Sequence, residues 1–137
     1  PVAFHLHKQV PIGAGLGGGS ADGAFALKAL NDYFALGYSD EALRAFAKQL
    51  GSDCPFFISN EPRYVTGTGD VFEDLALDLR GSYLVLCNPG IHIGTKEAYA
   101  GIVPQAPLWD TREVLEGDKA AWRERLHNDF ENHVFEK

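Results

Sequence analysis

Apolar and polar residues alternate through Val2-Ala3-Phe4-His5-Leu6-His7, and Val2, Phe4 and Leu6 fall on one side. That period of two predicts a half-buried strand, which Pro11 closes. After the glycines of 13–19 the period changes, and Ala24, Leu27, Leu30 and Phe34 recur at helical spacing. Ser20 is placed to cap this helix, Asp22 suits its first turn, and Gly37 suits its stop. A second helix is predicted from a Ser39 cap to Gly51, with Leu43, Phe46, Ala47 and Leu50 on one face. Next comes Gly51-Ser52-Asp53-Cys54-Pro55-Phe56-Phe57-Ile58, where Pro55 biases Cys54 toward extended backbone. Asp53 is therefore expected on a turn that leads into a short apolar strand. Arg63 to Thr68 is a further strand candidate, and Gly67-Thr68-Gly69-Asp70 a tight turn.

The continuous apolar run Tyr83-Leu84-Val85-Leu86-Cys87 predicts a strand buried on both faces, stopped by Asn88-Pro89-Gly90 and followed by extended Ile91-His92-Ile93. Thr95 can cap a short helix through Ala98 and Tyr99, 104–107 is a loop, and Asp118 opens a last helix with Trp122, Leu126 and Phe130 spaced by fours. This irregular mixture predicts the α+β class, with a change of unit near Pro62.

Composition narrows the functional classes. Hydrophobic residues make up 45% and charged residues 23% of the 137, the balance of a soluble globular protein. A formal net charge of -7 excludes a broad nucleic-acid surface, which needs many cations against phosphates. It leaves room for one small anion held by backbone N–H groups. No apolar run is long enough to cross a bilayer and no signal peptide opens the chain, so no membrane partner and a cytoplasmic location are expected. Cys54 and Cys87 are read as reduced, partly buried thiols. His5 and His7 share a strand face without a third ligand and are read as solvated or edge-paired, while His127 and His133 do not share a helix face. Pro1 is not an initiator residue, and Lys137 follows Phe135-Glu136 without a helix stop. An internal segment of a longer protein is expected.

The chemistry concentrates in the glycine stretch. Gly13, Gly15, Gly17, Gly18 and Gly19 lie between a strand and a capped helix, where N–H groups without a neighbouring Cβ can converge on an anion at the positive end of a helix dipole. No lysine follows the last glycine, so this is not the GxxxxGK[ST] loop, and the acidic residue of a dinucleotide fingerprint is missing.

Pro11-Ile12-Gly13-Ala14-Gly15-Leu16-Gly17-Gly18-Gly19-Ser20-Ala21-Asp22 resembles the second signature motif of the galactokinase, homoserine kinase, mevalonate kinase and phosphomevalonate kinase (GHMP) superfamily. The Gly-Leu-Gly-Gly-Gly-Ser form is typical of its diphosphocytidyl-methylerythritol kinase branch. Gly51-Ser52-Asp53-Cys54-Pro55-Phe56-Phe57 is similar to that branch's Gly-Ala-Asp-x-Pro-x-Phe segment, and Asn128-Asp129-Phe130-Glu131 to a further one. The resemblance implies a two-domain α+β fold, one domain like the second domain of ribosomal protein S5 and one ferredoxin-like, incomplete here at both ends. Residues 1–62 would close the ATP-binding domain and 63–137 would begin the second.

It further implies an ATP- and Mg²⁺-dependent kinase that phosphorylates the 2-hydroxyl of the branch's diphosphocytidyl substrate on the non-mevalonate route to isoprenoid precursors. Pro11, Gly13, Gly15, Leu16, Gly17, Gly18, Gly19, Ser20, Ala21 and Asp22 would surround the nucleotide phosphates. Asp53 matches the catalytic aspartate, and Thr95 and Tyr99 match part of the cytidine pocket. Many superfamily members carry Ser-Ser where this chain has Gly18-Gly19, and one of those serines holds the Mg²⁺. Ser20 or Asp22 is the substitute candidate. The family's N-terminal lysine and its glycine-rich third motif have no counterpart in these residues, so the 137-residue chain alone is expected to be inactive. Two rivals stand beside this reading: a sister kinase of the homoserine or mevalonate type, and a phosphate-binding module without turnover.

Overall fold

The computed structural model describes residues 2–135; Pro1, Glu136 and Lys137, which bear on the reading of the chain ends, lie outside the described residues. Backbone contacts divide the chain into two compact units, one running to Asp74 and one starting at Leu75.

Three helices build the first unit: α1 (Gly18–Tyr33), α2 (Asp40–Leu50) and α3 (Cys54–Ser59). Ala24 of α1, Leu43 and Ala47 of α2, and Cys54 and Ile58 of α3 form its buried core, with Leu27 and Phe57 packed against it. The spacing that predicted α1 and α2 is realised where it meets this core, because an amphipathic stripe becomes stable only when its apolar face is covered. Ser39 caps α2 as expected, its hydroxyl accepting from the Ala42 N–H at 3.3 Å, and Gly51 ends that helix.

Two helix ends differ from expectation. α1 begins at Gly18 behind a left-handed Gly17 (φ 66°, ψ 11°), so Ser20 lies inside the first turn and caps nothing. At its other end Ala35, not Gly37, takes the first left-handed position (φ 48°). The Leu36 N–H reaches the Asn31 carbonyl at 2.9 Å and the Ala35 N–H reaches Asp32 at 3.2 Å, the paired bonds of a Schellman stop. The Asn31 amide then fastens the connection to α2, donating to the Tyr38 carbonyl at 3.2 Å and accepting from the Tyr38 N–H at 3.0 Å.

The segment after Asp53 is helical rather than extended. Pro55 occupies the first turn of α3, where a missing N–H costs no helical bond and the fixed φ suits a helix, so the expected strand is replaced by α3. Its last turn is secured from outside, since Lys28 donates to the Ile58 carbonyl at 2.8 Å and Arg44 to the Ser59 hydroxyl at 3.0 Å.

Strands β1 (Arg63–Thr66) and β2 (Val71–Asp74) pair antiparallel, with Arg63 opposite Asp74 and Thr66 opposite Val71. Gly67 and Gly69 are left-handed in the turn between them, as a tight reversal requires. Asp70 anchors this turn, accepting from the Thr68 N–H at 3.2 Å, from the Thr68 hydroxyl at 3.0 Å and from the Lys48 ammonium of α2 at 2.6 Å. The Lys48 bond, then the Thr68 bonds, hold the Asp70 carboxyl down from 3.8 to about 2. A depressed folded-state value means that the attachment is complete above 3.8 and is lost as the pH falls toward 2. Lys48→Met should return the Asp70 titration, followed by carboxyl NMR, toward its ordinary value. An unmoved titration would show that the turn's own donors suffice.

Pairing decides the strand expectations elsewhere. Residues 2–9 make no strand ladder, and neither do 83–87. Tyr83, Leu84 and Val85 are 100%, 90% and 84% exposed, so the run read as a doubly buried strand is uncovered among the described residues. Extended backbone becomes a strand only beside a hydrogen-bonding neighbour, which an apolar run cannot supply by itself. Cys54 is buried in the core, whereas Cys87 is exposed rather than partly buried.

The second unit contains α4 (Thr95–Ala100), α5 (Thr111–Glu116), a 3-10 turn (Lys119–Ala121), α6 (Trp122–Arg125) and α7 (Glu131–Val134). The Asp110 carboxylate caps α5 through the Arg112 and Glu113 N–H groups at 2.9 and 3.2 Å. Val114 is buried, and its carbonyl accepts from the Trp122 indole at 2.9 Å. Asp118 caps the 3-10 turn through the Ala120 N–H. The single last helix expected from 118 is therefore broken: Leu126 is extended, and the Asn128 side chain accepts from the Phe130 N–H at 3.1 Å to start a new turn.

Candidate functional site

The glycine stretch lines a cleft of about 500 Å³ in the first unit, walled by Leu6, Lys8 and 11–20. Gly13, Gly15 and Gly17 are all left-handed, with φ of 74°, 71° and 66°. A left-handed residue running directly into a right-handed helix turns successive N–H groups to one side, the geometry of an anion nest. The first bond of the α1 ladder runs from the Ala21 N–H to the Gly17 carbonyl at 2.9 Å. The N–H groups of Gly18, Gly19 and Ser20 precede that ladder, and no side chain caps them. An added Cβ at Gly15 or Gly19 would meet nothing within 4 Å, so the missing side chains leave open space above the backbone rather than relieving a crowded core.

The structure thus gathers Pro11, Gly13, Gly15, Leu16, Gly17, Gly18, Gly19 and Ser20 around one cleft. Ala21 lies in α1 just behind them. Asp22 lies in the next turn of α1, and its carboxylate pairs with the Lys8 ammonium. Among the described residues no three His, Cys, Asp or Glu side chains converge on one point. Asp53 stands at the start of α3, outside the cleft lining, where its carboxylate accepts from the Ser52 hydroxyl at 3.3 Å. Its Oδ1 is 3.6 Å from where a Cβ on Gly69 would stand. One turn further along α3, the Phe57 ring lies 3.0 Å from where a Cβ on Gly17 would stand. Phe57 thus borders the glycine loop, while Asp53 neighbours Ser52 and the turn at 67–70.

Thr95 and Tyr99 lie in the second unit. Thr95 is the first residue of α4 and Gly94 its cap, so the capping role read for Thr95 is not realised. Tyr99 is 64% exposed and meets the Phe130 ring edge to face at 5.1 Å. With Ile102, Pro104, His127, Asn128 and Asp129 these two rings line an open cleft of about 460 Å³. An exposed aromatic braced by a second ring can stack on a planar ligand. Lys8 is the functional candidate that the sequence reading passed over. It sits in a stretch read only as strand pattern, and its signal is its position three residues before Pro11 at the mouth of the glycine loop.

Residues 1–61 match the family described as GHMP kinases N terminal domain. The chain is 47% identical over 135 residues to a 4-diphosphocytidyl-2-C-methyl-D-erythritol kinase of Parabacteroides distasonis, covering 98% of this chain and 50% of that protein. Proteins of the same name from Bacteroides thetaiotaomicron and Cytophaga hutchinsonii are 43% and 46% identical, covering 98% and 100% of this chain and 49% and 51% of theirs. The chain spans about half the length of these relatives. No solved structure matches it. No helix among the described residues is long and apolar enough to cross a membrane.

Proposed function

As the chain belongs to the GHMP kinase superfamily, we propose that it forms part of a small-molecule kinase that transfers the γ-phosphoryl group of ATP to the 2-hydroxyl of 4-diphosphocytidyl-2-C-methyl-D-erythritol. The observation that carries this reading is the cleft, where a left-handed Gly17 opens onto the uncapped N-terminus of a 16-residue helix with open space over Gly15 and Gly19. A phosphate can approach backbone N–H groups there without meeting a side chain. The change of domain is proposed after residue 62, close to the end of the family match at residue 61, with the remainder opening a second, ferredoxin-like domain, although the hairpin 63–74 belongs to the first compact unit here.

Phosphoryl transfer asks the protein mainly to position the reactants and stabilise charge. The N–H groups of Gly18, Gly19 and Ser20 would receive phosphate oxygens, and Gly13 and Gly15 would let the chain curl beneath them. Asp53 would orient the attacking hydroxyl and accept its proton as the new O–P bond forms and the bond to ADP breaks. Thr95 and Tyr99 would hold the cytidine end, with the base stacked on the Tyr99 ring. Mg²⁺, held through the Ser20 hydroxyl, water and phosphate oxygens, would neutralise charge on the transferring group. Asp22 is a weaker ligand candidate because Lys8 already engages it.

A chimera tests the proposal directly. Residues 1–137 replace the corresponding stretch of the Parabacteroides distasonis relative, and ATP-dependent phosphorylation of the diphosphocytidyl substrate is followed by ³¹P NMR. Turnover with the diphosphocytidyl substrate, and refusal of homoserine and mevalonate, is the expected result. A folded chimera that binds ATP but phosphorylates none of the three would leave a phosphate-binding module and end the kinase reading.

A further inference from the structure

Lys8 is the one ionisable side chain among the described residues that line the glycine cleft. It reaches the cleft from the segment before Pro11, and a Cβ added at Gly18 would stand 3.7 Å from its Nζ. The ammonium is therefore held over the first residue of α1, beside the N–H groups that begin that helix. What holds it is Asp22, one turn into the same helix; the side chains of the pair are 25% and 34% exposed. A pair so placed is neither fully solvated nor sealed away, so either partner can be exchanged for another ion.

We propose that Lys8 and Asp22 form a contested ion pair, in which the polyphosphate of an incoming nucleotide takes the Lys8 ammonium and Asp22 opposes the transfer. The inference rests on reading the glycine cleft as the phosphate site. In a chain of net charge -7, an anion entering this cleft gains from a local cation, and Lys8 is the cation on its wall. Asp22 presets the position of that cation while lowering its free attraction for an anion. The two partners consequently act with opposite sign. Removing the ammonium takes a charge-assisted hydrogen bond from the phosphate, whereas removing the carboxylate charge releases the ammonium to it. A pair that merely braced the loop would behave otherwise, because either loss would then loosen the cleft in the same direction.

Calorimetric titration of the 137-residue chain with ATP and with tripolyphosphate separates these cases, beside thermal melts that verify folding. Lys8→Met should weaken both ligands by about 10- to 100-fold, and Lys8→Arg should recover most of that loss. Asp22→Asn should tighten both by roughly two- to fivefold. If the parent binds ATP but both variants weaken it alike, or neither changes it, the contested pair is overturned while the cleft reading stands. If the parent binds neither ligand, the cleft reading falls and takes this inference with it.

Discussion

Asp53→Asn is expected to lower phosphoryl transfer by about 100- to 10,000-fold, or roughly 3 to 5 kcal/mol of barrier, while ATP affinity stays unchanged. The size follows from the role: a positioned carboxylate that accepts the proton of an attacking hydroxyl loses that capacity as an amide but keeps its shape. The structure makes the substitution a clean one. Asp53 is exposed, caps no helical N–H, and accepts one hydrogen bond, from the Ser52 hydroxyl, which an asparagine oxygen can also accept. No core contact changes, so melting temperature should not move. Single-turnover rates and ATP titrations of the chimera and its Asp53→Asn form measure the two quantities separately. Equal loss of binding and turnover would place Asp53 in nucleotide contact instead, and full activity would reduce it to a turn residue that happens to match the family's motif.

How much of this was legible in sequence depended on the range of the interaction that fixes each element. α1 and α2 declare themselves through their own periodicity, and the Ser39 cap lies within three residues of the N–H it satisfies. The glycine loop is equally local, because its left-handed angles belong to Gly13, Gly15 and Gly17 themselves. The start of α3 was misread because a proline counts against a helix interior but favours a first turn, and only the position of the turn decides which rule applies. α5 was missed although Asp110 and Glu113 stand at the spacing of a capping box, a signal that could have found it. β2 was missed because Val71-Phe72 is too short to register without its partner β1. The run 83–87 failed the other way, promising a buried strand from composition when burial depends on what lies beside it. In the candidate site, the glycine loop itself was readable and the Lys8–Asp22 pair was not, since it joins residues separated by the whole glycine loop.

The glycines allow the cradle to be separated from the scaffold. Gly17→Ala should cost about 2 to 3 kcal/mol, and lower the melting temperature by roughly 10 °C, from two sources. A left-handed φ of 66° strains any L side chain, and the new Cβ would stand 3.0 Å from the tip of the Phe57 ring, which is packed against the core. Gly19→Ala should do the reverse. Gly19 is in right-handed helical backbone with nothing within 4 Å of the added Cβ, so replacing it gains up to about 0.5 to 1 kcal/mol of helix propensity. If a phosphate rests on the N–H groups of Gly18, Gly19 and Ser20, that same methyl stands where the anion approaches, and ATP affinity should fall although the protein melts higher. Stability falls at Gly17, whereas at Gly19 stability and binding move apart, which no purely structural role for that glycine can produce. A Gly19→Ala chain that melts higher and binds ATP as tightly as its parent would confine the cradle to the turn at Gly17 and leave the second glycine of the helix without a functional reason.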